Sequence, residues 1–379
     1  MNVIVVGAGL GGLAAAVGLH RAGHTVTVLE RAPESRETGA GIGIMPNGVL
    51  ALDALGVGGA IRERAHAVTE PSGFRDRFGR PLLISDQARV AEEVGAPFAV
   101  VPRRWLAGLL ADALPDGTIR WGHPVTTPAG HDADLIVGAD GARSRLRAAL
   151  FPGHPGLRGS GEIAARAISP RPATPLACGE LLDHRTGARF GCMPMSAGAV
   201  YWYATWRAEN ANSPRRNVRL TAAGAEVRRW LRDDRADWHP CVAALVEAAE
   251  DIHVVETAQL VRPLPSLAVG RVVLLGDAAH AMTPDLGQGA CQAFEDAVTL
   301  AAVLGNDATD VQAALARYDA LRRPRTTALQ RQCRQTHRLL TLRGPAGRLR
   351  DAALRRIPAR YATRALAAQM GFTPPLPLH

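Results

Sequence analysis

The chain has 379 residues, of which 47% are hydrophobic and 21% charged, with 39 glycines and a formal net charge of +9. At roughly 150 residues per domain this suggests two domains or a little more, and the apolar content allows a sizeable core and excludes a disordered chain. No lysine occurs, arginine is scattered and aromatics make up only 4%, which argues against a nucleic-acid binder, where clustered bases alternate with exposed rings.

The first element is a strand. Residues 2–6 (NVIVV) form the β-branched run expected of a buried parallel strand. This apolar start lacks a basic leader and breaks into glycine at once, so it reads as neither a signal peptide nor a membrane span. Gly7, Gly9 and Gly12 occupy the three positions of GxGxxG around Leu10, and the helical stretch LAAAVGLHRAG follows. In such a turn the first glycine allows the bend, the second lets the backbone approach a pyrophosphate, and the third lets helix pack on strand. The helix N-terminus then offers free N–H groups and a partial positive charge to the phosphates. A second strand over 25–29 ends in Glu30, followed by Arg31, at the spacing where an acid meets a ribose hydroxyl. Together these predict a dinucleotide-binding unit for FAD or NAD. Gly56, Gly58 and Gly59 are placed in a loop after a helix, so no second such unit is expected.

Two later segments complete a motif set. In 134–147 (DLIVGADGARSRLR) a strand ends in Asp140-Gly141 and an arginine-rich helix begins. In 272–289 the apolar VVLL runs into GDAAHAMTPDLGQG, and a helix starts near Gln288. With GxGxxG, and in the same order over nearly the whole chain, these resemble the class A FAD-dependent monooxygenases of the para-hydroxybenzoate hydroxylase type. The short members, such as salicylate hydroxylase, urate hydroxylase and zeaxanthin epoxidase, look most similar. The resemblance implies that Asp277, after Gly276, bonds the ribityl chain of FAD, and that Pro284, Gly287, Gln288 and Gly289 lie along the isoalloxazine. The helix that follows would point its positive end at the ring edge that becomes anionic on reduction. Asp140 is implied to help hold FAD and to take part in NAD(P)H use. Arg103 matches the arginine that reaches the flavin, although its neighbour Arg104 fits as well, and either fits a solvated helix charge. Asn47 sits where the family loop passes the ring, and a helix N-cap is equally natural there.

Across 157–267 the strand–helix alternation fades. Residues 189–195 and 199–207 read as strands joined by Ser196-Ala197-Gly198. Alternation puts Tyr201, Tyr203, Thr205 and Arg207 on one face and Val200, Trp202, Ala204 and Trp206 on the other. The Trp face is expected under helices near Val227 and Ala243, and the Tyr face as the floor of a substrate site, unless all four rings are simply core. Tyr201, Tyr203 and Arg189 are the candidates for raising the nucleophilicity of a substrate. The segment CMPMSAGAVYWY also resembles urate hydroxylase, where an arginine that contacts substrate follows the glycine. Here Ala199 follows, which implies a substrate less polar than urate. Residues 120–132 are a short link where many relatives carry a longer strand pair. Past Arg317, arginines dominate two helical stretches, read as a solvated face or as a dock for an acidic carrier protein.

The expected fold class is α/β. A Rossmann-like FAD-binding domain covers 1–69, 98–156 and 268–340, a mixed-sheet substrate domain covers 70–97 and 157–267, and a helical segment covers 341–379. The resemblance implies that NADPH or NADH passes a hydride to FAD and that O2 adds at the flavin C4a position to give a hydroperoxide. Its distal oxygen then goes to an aromatic or polycyclic small molecule by hydroxylation or epoxidation. A reductase or oxidase without oxygen insertion is the alternative, and a flavin-binding regulator without turnover is a third reading. A flavin halogenase is excluded, because that family relies on a lysine and a Trp-x-Trp-x-Ile-Pro motif. Cys178, Cys192, Cys241, Cys291 and Cys333 lie far apart without a CxxC pair, which argues against disulfides and a zinc site and for a reducing cytoplasm. No metal, nucleic acid or membrane span is expected.

Overall fold

A computed structural model of the chain describes residues 1–35, 40–208, 223–305 and 310–375. β1 (Asn2–Val6) bends at Gly7, whose φ of +108° suits glycine alone, into α1 (Leu10–Arg21), and β2 (Thr25–Glu30) returns parallel to β1. Next come β3 (Gly41–Ile44), α2 (Pro46–Ala54), α3 (Gly58–Arg64) and β4 (His66–Val68). Gly58 and Gly59 therefore open a helix, and only Gly56, at φ +79°, belongs to the turn before it. The hairpin of β5 (Ser72–Asp76) and β6 (Pro81–Ser85) leads to α4 (Gln87–Val94), capped by the Asp86 carboxylate. Then follow β7 (Phe98–Pro102), α5 (Arg103–Asp112), β8 (Ile119–Trp121), β9 (Leu135–Gly138) and α6 (Arg145–Leu150). Residues 122–132 add no strand to that edge.

The long β10 (Leu157–Pro170) begins a different layer, with β11 (Gly179–Leu182), β12 (Arg189–Pro194), β13 (Ala199–Arg207), α7 (Ala223–Asp234), α8 (Pro240–Glu247) and β14 (His253–Leu260). The chain then re-enters the first layer through β15 (Ala268–Val269), β16 (Val272–Leu274), α9 (Gly276–His280) and α10 (Gly289–Leu304). It ends with α11 (Val311–Leu340), α12 (Gly344–Leu354) and α13 (Ala359–Met370). Three helical stretches, not two, thus lie beyond Arg317, because Gly344 at φ +61° and Pro358 each interrupt the helical run.

Three sheets result. The six-stranded sheet has the order β15-β16-β9-β1-β2-β8, with β16, β9, β1, β2 and β8 parallel and β15 antiparallel at the edge. Its central strands are nearly all apolar because both faces are covered, and α1 packs between β2 and α10. The seven-stranded sheet, β14-β10-β13-β12-β11-β5-β6, is antiparallel except where β11 lies beside β5. A small antiparallel sheet, β3-β7-β4, packs over β10 and β13. Trp202, Trp206 and Phe190 are buried on one face of the large sheet against Val227, Leu231, Val242 and Leu245 of α7 and α8, as expected for the Trp face. Phe190 and Trp202 stack there with ring centroids 5.4 Å apart. Among the described residues no helix is long and apolar enough to cross a membrane.

Candidate active site

The glycine turn expected to hold a dinucleotide lies where β1 meets α1. A Cβ on Gly12 would sit 1.9 Å from the Gly7 carbonyl oxygen, and one on Gly7 would sit 2.5 Å from the Ala139 carbonyl oxygen. A Cβ on Gly9, by contrast, would meet nothing within 4 Å. Two of the glycines therefore permit close packing, and the third faces open space at the start of α1. No side chain caps that helix and no acid stands in its first turn, so its N–H groups are available to an anion. Glu30 is half-buried, and its two oxygens accept from the backbone N–H of Ala8 (2.9 Å) and Ala32 (2.9 Å), which fixes the glycine turn to the end of β2. Arg31 beside it is exposed.

Asp140 follows β9 and Asp277 follows β16, the adjacent strand, and both act on Arg147. Asp140 Oδ2 accepts from the backbone N–H of Arg145 (2.7 Å) and Leu146 (3.2 Å) at the start of α6, while its Oδ1 is buried without a partner. Arg147, which sequence reasoning passed over, joins the two motifs: its guanidinium donates to the carbonyls of Ala142 (2.6 Å) and Ala278 (3.0 Å). Asp277 is exposed at the start of α9. Gly276 takes φ +57°, and its N–H donates to Asp296 Oδ2 (2.9 Å), which also contacts His280 Nε2 at 2.6 Å. Arg322 of α11 closes this buried cluster on Asp296 and Glu295, at 2.6 Å each. Arg325 joins Glu295 as well. Some of the arginines read from the sequence as a solvated face are thus buried counter-ions.

Pro284, exposed, opens a short 3-10 turn (Pro284–Leu286), and Gly287, at φ +63°, ends it. Gln288 is the buried N-cap of α10 but its side chain caps no backbone N–H, its Oε1 instead accepting from Gln292 Nε2 (2.9 Å), and the first turn from Gly289 holds no acid. Asn47 is not an N-cap, because Met45 holds that position in α2. Instead the buried Asn47 amide donates to Gln288 Oε1 (2.8 Å) and Glu295 Oε1 (2.7 Å), locking the start of α10 to α2.

The Tyr face of β13 looks toward this loop. Met45 lies against Gly287, where a Cβ would meet its methyl at 2.7 Å, and it packs in the same cluster as Tyr201, Tyr203, Met193, Phe98 and Val100. Tyr201 is buried, its ring against the backbone of Gly41 in β3, and lies 6.4 Å from the Tyr203 ring. Tyr203 keeps part of its surface free. Burial pushes the Tyr201 phenol up, and the charges of Arg166 and Arg103 act against it. Arg103 is half-buried at the start of α5, whereas Arg104 is exposed. Arg166 of β10 stands directly opposite Tyr203 in the sheet, and no ion pair to it is seen among the described residues.

Arg189 stands on this same face, opposite Thr205 in the sheet, but is buried there among acids. It is 2% exposed, and its guanidinium sits between Glu162 (2.8 Å), Glu180 (3.3 Å) and Asp285 (2.9 Å), with Nε donating to Thr205 (3.3 Å). His337 of α11 reaches Asp285 at 3.3 Å. Burial would raise the Asp285 carboxyl, but His337 and Arg189 outweigh it and hold it below its ordinary value. The cluster ties the seven-stranded sheet to the 284–289 loop. Glu180, Glu162, His337 and Arg166 were missed by sequence reasoning. Glu180 had one local signal, an acid inside the otherwise apolar strand GELL.

The FAD binding domain family matches residues 1–115 and 129–333. The aurachin C monooxygenase/isomerase of Stigmatella aurantiaca is 34% identical over 342 residues, covering 85% of each chain. The 3-amino-4-hydroxybenzoate 2-monooxygenase PtnB3 of Streptomyces platensis is 35% identical over 379 residues, covering 93% of this chain and 92% of its own. HpxO of Klebsiella pneumoniae, solved with FAD and uric acid, superposes with a TM-score of 0.85 at 29% identity, covering 98% of this chain and 96% of that one. The chain belongs to the FAD binding domain family, and it is an FAD-dependent monooxygenase with the α/β fold expected from its motifs. The residues present suit the cofactor: an uncapped helix N-terminus behind the open space at Gly9, an orphaned carboxylate oxygen on Asp140, and a second uncapped helix at Gln288.

Proposed function

We propose that this monooxygenase hydroxylates or epoxidises an aromatic or polycyclic small molecule with O2 and NADPH or NADH, and that the substrate lies on the Tyr201–Tyr203 face. The observation that carries this reading is that Met45, which lies against Gly287, packs on the same apolar cluster as Tyr203 and Met193, which sets an apolar, aromatic-floored face beside the cofactor loop. Bound FAD supplies the electron transfer and oxygen activation that no side chain here can supply. The remaining work falls to the chain. The N-termini of α1 and α10 present N–H groups to the pyrophosphate and to the ring edge that gains negative charge. Asp277 accepts from a ribityl hydroxyl, and Asp140 has an oxygen to spare for the cofactor. Met45, Phe98 and Val100 keep water from the reacting face.

Arg166 and Arg103 beside Tyr201 favour a substrate with negative charge or an electron-rich ring. PtnB3, by its name, acts on an aminohydroxybenzoate, and a carboxylated phenol is our first choice of class. Ala199 speaks against urate. The test is NAD(P)H oxidation by the FAD-loaded protein over phenols, aromatic acids, indoles and polyketides, with mass spectrometry of the products. A compound that accelerates oxidation and gains one oxygen is the expected result. Stimulation without oxygen gain would overturn the reading. If no free compound stimulates, delivery by an acidic carrier protein is the remaining form of the proposal. Its dock would be Arg331, Arg334 and Arg338 on α11 with Arg158, a group in which burial and then mutual repulsion lower the Arg334 pKa. The five cysteines are all buried and unpaired, which supports a reducing cytoplasm.

A further inference from the structure

Three adjacent strands of the large sheet bring Glu180, Gly191 and Tyr203 into one row. Glu180 of β11 pairs with Gly191 of β12, and Gly191 pairs with Tyr203 of β13. On the face they share, a Cβ on Gly191 would lie 2.2 Å from Cε1 and Cζ of Tyr203 and 2.6 Å from its Oη. The missing side chain lets the phenol lie across β12, where its hydroxyl and the Glu180 carboxyl interact. Any other residue at 191 would stand between the two groups.

The charges around Glu180 do not balance. Glu162 from β10, Glu180 from β11 and Asp285 from the 3-10 turn surround one permanent cation, Arg189 from β12. His337 from α11 faces Asp285 and Glu162, at 3.3 and 3.8 Å, and can take up a further positive charge, while Arg207 stands opposite Glu162 in the sheet. Tyr203 is the group facing Glu180 from β13, with Tyr201 beyond it. Three buried carboxylates against one arginine favour holding an additional proton. Glu180 has the weakest claim to its charge: Oε1 is buried with no hydrogen bond, and the Arg189 contact at 3.3 Å is the longest of the three.

We propose that Glu180 is a positioning residue: by accepting the Tyr203 O–H across Gly191, it presents the Tyr203 oxygen to the substrate as a hydrogen-bond acceptor for a ring-bound O–H or N–H. The inference rests on the aromatic-substrate reading above and narrows it to rings that carry such a donor. When the substrate heteroatom gives its proton to Tyr203 Oη, the Tyr203 proton passes to Glu180. Tyr203 stays neutral, Glu180 becomes the acid, and the substrate becomes more electron-rich with no change of oxidation state. Burial first, with repulsion from Asp285 and Glu162 and against the pull of Arg189, pushes the Glu180 carboxyl up to about 7. Above that pH the carboxylate directs Tyr203 as an acceptor, and below it this direction is lost.

The test has two arms. Infrared difference spectra of the FAD-loaded protein without substrate, taken across neutrality, should show a protonated-carboxyl band that titrates near pH 7 and is missing in Glu180→Gln. The second arm uses 4-hydroxybenzoate and its methyl ether as probes, with binding read from flavin fluorescence. The wild type should prefer the phenol by about tenfold more at a unit above neutrality than at a unit below, about 1.4 kcal/mol. Glu180→Gln and Tyr203→Phe should each show a preference that does not change with pH. Tyr203→Phe leaves the buried charges in place, so it decides the matter if Glu180→Gln does not fold. A missing carboxyl band, or a pH-dependent preference that survives in either variant, overturns the inference. If neither probe binds, the infrared arm alone decides it, whereas the aromatic-substrate reading stands or falls with the oxygenated product.

Discussion

Gly9 and Gly12 stand three residues apart in one motif, yet a methyl group added to each should fail in a different way. A Cβ on Gly12 has to displace the Gly7 carbonyl, a backbone atom 1.9 Å away that cannot swing aside. Gly12→Ala should therefore destabilise the fold by about 1–3 kcal/mol or more, as overpacking does. A Cβ on Gly9 touches no protein atom within 4 Å and enters the space at the mouth of α1, where backbone must approach a pyrophosphate. Gly9→Ala should keep its stability without cofactor and bind FAD about tenfold more weakly, a loss of about 1.4 kcal/mol. Denaturant unfolding of the cofactor-free variants, beside FAD titrations, checks both. Equal destabilisation by the two substitutions would show that Gly9 is a packing residue as well. The same contrast sets the limit of motif reading: GxGxxG marks three positions, and only the surrounding backbone shows which of them face the ligand.

Helix α10 carries the proposed cofactor loop at one end and a buried polar stripe along its side. Gln288, Gln292, Glu295, Asp296 and Thr299 are all buried at helical spacing. Their partners come from α2 (Asn47), α9 (His280) and α11 (Arg322, Arg325), so one stripe orients four elements around Asp277. Removing Arg322 would leave Asp296 and Glu295 short of charge in the core, and Arg322→Met should cost about 3–5 kcal/mol. The pH dependence has a definite sign. Burial raises the Asp296 carboxyl, but His280 and Arg322 more than offset it and bring it down to about 2. A carboxyl depressed in the folded state contributes stability above its unfolded pKa, near 4, and loses that contribution as pH falls through the folded value. The stability gap between wild type and Asp296→Asn should thus be full near neutrality and shrink between about pH 4 and pH 2. A gap independent of pH in acid unfolding would show that the charge on Asp296 contributes nothing. None of this was legible beforehand. The stripe belongs to a segment that reads as an apolar helix, and its counter-charges lie 26 to 30 residues further along the chain.

Across the whole molecule, the features legible in the sequence are those whose signal is local. β1, the glycine turn and Glu30 stand where expected because strand, bend and helix start are written in adjacent residues. The alternation of β13 separated its Trp and Tyr faces correctly for the same reason. Arg189 shows where that reasoning ends: it sits at a face position, yet Glu162 and Asp285, distant in sequence, draw it into the interior. The residues proposed to hold the cofactor are as dispersed as those acids. They come from the turn at 7–12, Glu30, Asp140, Gly276-Asp277 and the 284–289 loop, which only the folded six-stranded sheet and its flanking helices assemble. A ligand held by all of them binds the native state alone, so it should stabilise by mass action, by roughly 4 kcal/mol when free FAD exceeds its Kd about a thousandfold. The melting temperature should accordingly rise with FAD concentration well beyond saturation. Asp277→Ala should lower that FAD-dependent gain and leave the melting of cofactor-free protein unchanged, since its side chain is exposed. A melting temperature insensitive to FAD would mean that these segments do not share one ligand. An equal loss with and without FAD would instead assign Asp277 to the fold, and the cofactor contact would have to come from its neighbours.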